Sequence, residues 1–263
     1  MYLIMSKIIA VVNQKGGVGK TTTTINLGAG LVNLGYKVLL IDADPSSSLT
    51  KAAGLEQIND TAYLTALMQA VIEGNLLQTI KVEKHSEGYD YIPANGNLKN
   101  ISTSLVGITT GREHILKFIV DRIKSDYDYV LIDCSPSPDL LPINALVAAD
   151  SVIIPVKVDF LSVDGISNVL GTIKGIKTFY NANLIIDGIL VTMLDNRTKL
   201  GRNGLCDLRT CGEQLNINVF DTTIPYSVKA QEMSATGTSI FKFSPRSKIA
   251  EAYQQLSEEV ASL

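Results

Sequence analysis

Short runs of Val, Ile and Leu recur along the chain with little polar interruption: Lys7–Asn13, Lys37–Ile41, Tyr89–Ile92, Tyr129–Asp133, Ser151–Val156, Leu184–Thr192 and Asn218–Ile224. A strand with one wet face alternates apolar and polar residues, so these near-continuous runs predict strands covered on both faces. Longer stretches between them predict helices at about Lys20–Leu34, Ala62–Glu73, Arg112–Ser125, Gly165–Phe179, Leu205–Leu215 and Ser247–Leu263. In the first of these, Ile25, Leu27, Ala29, Leu31, Val32 and Leu34 spread around much of the circumference, as in a buried helix, and Gly35 ends it. Such β-α alternation predicts an α/β fold: a doubly wound, mostly parallel twisted sheet with helices on both faces. No repeat, low-complexity tract or long linker divides residues 1–263, so a single domain is expected.

Composition narrows the class. Of 263 residues, 46% are apolar and 19% charged, which excludes disorder and supports a sizeable core. The net charge of −3 argues against a polycation for nucleic acid, but the charge is uneven. From Arg197 to Lys248, eight basic residues stand against four acidic ones, a local +4 that leaves −7 elsewhere. Three cysteines (Cys134, Cys206, Cys211) without paired spacing give no disulfide framework and suit a reducing, cytoplasmic compartment. Two histidines, His85 and His114, are too few and too far apart for a zinc site. No apolar run approaches the roughly 18–20 residues of a membrane span, and the opening Met-Tyr-Leu-Ile-Met is too short for a signal peptide.

In sheets of this kind ligands sit beyond the carboxyl ends of the strands, and the chemistry-bearing residues fall there. The first strand run leads into Asn13-Gln14-Lys15-Gly16-Gly17-Val18-Gly19-Lys20-Thr21-Thr22, with a helix directly behind it. Three glycines let the backbone wrap closely with its N–H groups turned inward, and the helix start adds its positive dipole end, making an anion cradle. Lys20 can reach the β- and γ-phosphates of a nucleotide, and the Thr21 hydroxyl is placed to ligate Mg²⁺. The strict phosphate-loop pattern wants glycine where Gln14 stands, and the departure brings a second lysine, Lys15, to the front of the loop. Asp42 and Asp44 follow the second strand; one position apart, they point the same way. Two acids before Pro45 and three serines would also suit a capped turn into a helix. Asp133 ends the buried run Tyr129–Ile132, as a magnesium ligand acting through water would. Cys134, with no histidine nearby in sequence, reads as a small buried apolar residue.

The segment Lys15–Thr22 resembles the deviant Walker A motif of the ParA/MinD family of P-loop ATPases, which also includes the nitrogenase iron protein. Resemblance to the ParA/Soj chromosome- and plasmid-partition branch continues through Asn26-Leu27-Gly28, Ile41–Pro45, Ile132-Asp133, Val191–Asp195, Ile224-Pro225 and Ser244–Ser247, and so covers nearly the whole chain. It implies a P-loop NTPase fold, ATP as substrate, Mg²⁺ as cofactor, and weak hydrolysis until a partner and DNA stimulate it. It further implies an ATP-bound sandwich homodimer in which Lys15 of each subunit reaches the phosphates bound by the other. Charge stabilisation of that kind is what phosphoryl transfer needs. By the same resemblance Asp44 orients the attacking water, Asp42 supports Mg²⁺ and its waters, and adenine lies near Pro225, with Tyr226, Ser227 and Met193 beside it. The chain departs from the partition pattern at Tyr226-Ser227, where Arg-Asn is usual, and at Ser46-Ser47-Ser48, where Gln-Gly-Asn is usual.

The use of such an ATPase is a separate question. A partition ATPase would bind double-stranded DNA without sequence preference on the bacterial nucleoid, and a ParB-like centromere-binding protein would stimulate hydrolysis. Arg197 lies where Soj-like proteins carry a DNA-contacting arginine, with Lys199, Arg202 and Lys229 as neighbouring candidates. The alternative, a MinD-like membrane-associated positioning ATPase, needs a basic amphipathic C-terminal helix. Residues Ile249–Leu263 carry three glutamates and no base, so no membrane partner is expected. An electron-transfer role needs two suitably placed cysteines, which Cys134, Cys206 and Cys211 do not offer. The chain starts directly at its first strand, so no N-terminal helix-turn-helix is expected.

Overall fold

A computed structural model describes residues 6–54, 58–75, 79–158 and 162–263, with the side chains of 162–165 excepted; the opening five residues lie outside it. The first half runs β1 (Lys7–Val11), α1 (Lys20–Asn33), β2 (Val38–Ala43), α2 (Ser48–Ala52), α3 (Leu64–Ile72), β3 (Glu83–Lys84), β4 (Asp90–Ile92), α4 (Leu98–Val106) and α5 (Ile115–Ile123). The second runs β5 (Tyr129–Cys134), α6 (Leu140–Ala148), β6 (Ser151–Lys157), α7 (Ser162–Phe179), β7 (Ile185–Thr192), α8 (Lys199–Leu215), α9 (Val228–Met233), α10 (Ile240–Phe243) and α11 (Lys248–Ala261).

Among the described residues seven strands form one sheet in the order β3-β4-β2-β5-β1-β6-β7. All neighbours are parallel except the short β3, which runs antiparallel to β4. The doubly wound α/β architecture is therefore the one the apolar runs predict. Their lack of alternation has a direct cause: along β1, Ile8 and Ala10 enter one core while Ile9 enters the other, and Leu39/Ile41 and Val38/Leu40 divide β2 in the same way. One core is closed by α3 to α7, the other by α1, α10 and α11.

Helix α1 packs so closely that glycine is required at its contacts. A Cβ on Gly28 would lie 2.6 Å from Leu40, and one on Gly30 would collide with Ser257 of α11. The stripe Ile249, Tyr253, Leu256 and Val260 of α11 is buried in this packing. The apolar face of the last helix is thus covered by its own domain.

Two expectations need correction. The run Asn218–Ile224 is not a regular strand; it lies along β7 with an isolated bridge at Ile189–Val219, and a second bridge, Leu194–Pro225, forms just beyond the ends of both. Phe220 N and Ile224 N donate to the Ile189 and Val191 carbonyls, four residues against two, so the pairing is out of step, and between them the Asp221 and Thr222 N–H groups donate to the Glu259 carboxylate at 2.9 and 3.1 Å. Helix α8 begins at Lys199 rather than Leu205, capped by the Thr198 hydroxyl on Gly201 N. Gly201 and Gly204 in its first turns serve close approach: a Cβ would meet the Asp195 carbonyl at Gly201 and Val158 at Gly204.

Ser47 adopts a left-handed backbone with φ 56°, at the position where the partition pattern carries glycine. A side chain there strains the backbone, partly offset by a stiffer unfolded chain. Ser47→Gly is expected to raise stability by about 0.5–1 kcal/mol, read as a shifted denaturant midpoint at unchanged slope.

Candidate nucleotide site

The phosphate loop joins the centre of the sheet to α1 and is braced at several points. Asn13 is buried; its Nδ2 donates to the Pro155 carbonyl at 2.8 Å, and its Oδ1 accepts from the Lys15 N–H at 2.9 Å. The Thr192 hydroxyl donates to the Val18 carbonyl at 2.8 Å, tying the loop to the end of β7. Gly17 and Gly19 hold φ of 69° and 86°, a region that disfavours any side chain. A Cβ on Gly16 or Gly17 would meet nothing within 4 Å, so both face the open space that approaching phosphates need. Gly19 is the N-cap of α1, and Lys20 opens the helix. The buried Lys20 ammonium donates to the Lys15 carbonyl at 3.2 Å. Burial pulls its pKa down, while Asp133 pulls it back up.

Strand register brings the carboxylates to this loop. Val11 of β1 aligns with Asp133 of β5, and Asp133 aligns with Asp42 of β2. The Thr21 hydroxyl donates to Asp133 Oδ2 at 2.7 Å. Burial, reinforced by the neighbouring Asp42, pushes the Asp133 carboxyl well above the usual carboxylate range. Asp42 is fully buried and is pushed up by that burial to about 6. Its Oδ1 accepts from the Asp44 N–H at 3.1 Å, and its Oδ2 accepts from the Thr50 N–H and hydroxyl at 2.9 and 2.7 Å. Asp42 therefore clamps both ends of the segment 44–50. Asp44, whose Oδ1 accepts from Ser46 N at 2.8 Å, is instead half-buried and lines the cleft.

That cleft, about 410 Å³, is walled by the phosphate loop and Lys20–Thr22 and by Asp44, Ser48 and Lys51. It shares Gly19, Thr22, Met193 and Ser234 with a narrower pocket of about 110 Å³ that contains Pro225, Tyr226 and Ser227. Gly17, Gly19–Thr22 and Asp44, expected around phosphates, and Pro225–Ser227, expected around the base, thus line two adjoining pockets. Met193, between the two parts, holds a left-handed φ of 53°. Backbone bonds from Leu194 N to Ile224 O and from Tyr226 N to Leu194 O, 2.9 and 3.0 Å, fix the Pro225 loop beside it. Sequence reasoning did not single out Asn13, Thr50, Thr192, Gln231 or Ser234. Only the buried polar character of Asn13 and Thr192 at strand ends offered a signal.

Cys134 is fully buried with its thiol directed at the Ile132 carbonyl, and burial pushes the thiol up, as suits an inert core residue. The basic candidates lie outside the cleft, and all four are exposed. Arg197 pairs in a bidentate fashion with Asp195, at 2.8 Å for both contacts, and this hydrogen bonding holds the Asp195 carboxyl down to about 2. Arg202 donates to the carbonyls of Asn196 and Arg197 at 2.9 and 3.0 Å. Lys199 opens α8, and Lys229 sits on α9, bonded to the Ser244 hydroxyl at 2.8 Å.

Comparison with known proteins agrees with this geometry. The AAA domain family matches residues 6–186. The chain is 40% identical to the sporulation initiation inhibitor protein Soj of Bacillus subtilis, covering 98% of this chain and 99% of that protein. It is 34% identical to the chromosome partitioning protein ParA of Caulobacter vibrioides, covering 97% and 94%. The crystal structure of cobyrinic acid a,c-diamide synthase from Mycobacterium smegmatis with bound ADP and magnesium superposes with a TM-score of 0.80 at 32% identity, covering 98% of this chain and 94% of that one. Among the described residues no helix is long and apolar enough to cross a membrane.

Proposed function

The chain belongs to the ParA/Soj/MinD family of P-loop ATPases, and from that premise we propose that it is a DNA-partition ATPase whose ATP-bound dimer holds DNA until a ParB-like partner triggers hydrolysis. The observation that carries this reading is the pair of adjoining pockets, one lined by Gly17, Gly19–Thr22 and Asp44 and the other by Pro225–Ser227, in a chain that matches Soj over nearly its full length.

Within it each residue has a separate task. The backbone of Gly16–Gly19 and the Lys20 ammonium bind the phosphates. Asp44 orients the water for in-line attack, and Asp42 keeps Asp44 in place through the bond to its N–H. The all-oxygen pair of Thr21 and Asp133, 2.7 Å apart at the carboxyl end of β5, suits a hard divalent cation. Magnesium would be held by the Thr21 hydroxyl and, through water, by Asp133 with Asp42 behind it, and would supply charge neutralisation to the β- and γ-oxygens. Pro225 and Ser227 line the base pocket. Lys15 acts across the dimer: its backbone is anchored on both sides, by Asn13 and by Lys20, so its side chain leaves the loop from a fixed base.

For DNA, exposed guanidinium and ammonium groups at Arg197, Lys199, Arg202 and Lys229 contact phosphates, and dimerisation doubles the set. The pairing of Arg197 with Asp195 keeps the guanidinium oriented at the surface until a phosphate competes for it. ATPase activity measured with DNA and with candidate ParB protein, separately and together, tests the reading; synergistic stimulation supports it. Arg197→Glu is expected to leave basal ATP turnover within about twofold and to weaken duplex binding about tenfold or more at moderate salt. Unchanged DNA affinity in that variant removes Arg197 from the interface.

A further inference from the structure

Lys51 has no part in the site as the motifs define it, yet it stands in the wall of the phosphate cleft. Short helix α2 follows the Asp44 segment directly, and its residues Ser48, Lys51 and Ala52 share one face by their spacing of three and four. All three line the same cavity as Gly17, Gly19 and Lys20. The Lys51 side chain is exposed, and its Nζ donates to the Ser46 carbonyl at 2.6 Å. The Asp42 clamp on Thr50 fixes the residue immediately before Lys51, so the backbone that carries this lysine does not drift.

We propose that Lys51 is a further phosphate-binding residue, which donates to the nucleotide from α2. This rests on the ATPase reading above. A neutral surface carbonyl is a weak partner for an ammonium; a polyphosphate is a strong one. With Mg²⁺ bound a triphosphate still carries net negative charge, which the Lys20 ammonium does not fully cancel in a single subunit, before Lys15 of a partner is in place. A cation on α2 supplies part of the remainder. It also joins the nucleotide to the 44–50 segment, because exchange of partners releases the Ser46 carbonyl within two residues of Asp44. Lys51 is a binding and positioning residue; it takes and gives no proton in hydrolysis.

The test is equilibrium binding of a slowly hydrolysed ATP analogue and of ADP, each with Mg²⁺, to the full chain and to its Lys51→Met and Lys51→Arg variants across a range of salt. Lys51→Met is expected to weaken the ATP analogue about tenfold. ADP, with less charge, is expected to lose less, and the salt slope of nucleotide binding is expected to fall. Lys51→Arg should restore most of the affinity. A lysine that merely steadies its own loop through Ser46 would shift the unfolding midpoint without changing the salt slope. If Lys51→Met binds the ATP analogue as the parent does, or with an unaltered salt slope, the assignment is overturned. Absence of nucleotide binding by the parent chain itself would instead overturn the ATPase reading, so the two failures are distinguishable.

Discussion

Lys15→Gln is expected to abolish partner-stimulated ATP hydrolysis, lowering it about 10³-fold, while nucleotide binding to the isolated subunit changes by less than about threefold. The reason is geometric. The Lys15 N–H is held by Asn13 Oδ1 at 2.9 Å and its carbonyl by the Lys20 ammonium at 3.2 Å. Glutamine keeps both backbone bonds and most of the side-chain length, and removes only the charge. If that charge serves the phosphates of the opposite subunit, monomer affinity survives and turnover does not. Calorimetry with ATP on the variant, beside turnover with DNA and partner, separates the two effects. Light scattering with a slowly hydrolysed analogue reports whether the dimer still forms. Stimulated turnover retained by Lys15→Gln would overturn the assignment of Lys15.

The second large effect is expected at Asp44. Asp44→Asn should reduce single-turnover hydrolysis about 10²–10³-fold and prolong the lifetime of the ATP-bound dimer. Asparagine can still accept the Ser46 N–H, which Asp44 Oδ1 accepts at 2.8 Å, so the shape of the segment is retained while the carboxylate charge is lost. Asp42 gives the contrasting case. Both of its oxygens are engaged by the 44–50 segment, and it is sealed from solvent. Replacing it would disorganise the segment as a whole and would not isolate a chemical role. Radiolabelled ATP followed through one turnover, with size exclusion of the product mixture, measures both quantities; wild-type hydrolysis in Asp44→Asn would exclude the carboxylate from water activation.

Much of the site was legible because its chemistry is local. Glycines at 16, 17 and 19, a lysine and a threonine at the start of a helix form a phosphate cradle wherever the preceding strand ends. The pairing of Asp42 with Asp133 was less accessible. Both were placed at strand ends, but only the register of β2 against β5 makes them neighbours; burial raises both carboxyls, and at Asp133 the nearness of Asp42 adds to it. The division of labour between Asp42 and Asp44 was likewise decided by Thr50, eight residues downstream of Asp42, through a fold-dependent contact. Asn218–Ile224 misled because β-branched composition reports a chain that fits a pleated surface. The segment spends four residues against two of β7, and the Glu259 side chain of α11, remote in sequence, holds the Asp221 and Thr222 N–H groups between.

The amino-acid order alone determined the elements that follow from short-range rules: apolar runs covered on both faces, helices between them, and a glycine-lysine-threonine loop with the electrostatics to hold polyphosphate. Conformational preference and side-chain period act over a few residues, so they can be read without a structure. Tertiary packing decided which carboxylate is a clamp and which faces the cleft, that the Pro225 loop adjoins the phosphate loop through shared lining residues, and that Lys51 and Lys20 line one cleft. Those outcomes depend on strand order, register and contacts between residues far apart in sequence, such as the bond from Thr192 to Val18 across 174 positions, and no local rule contains them.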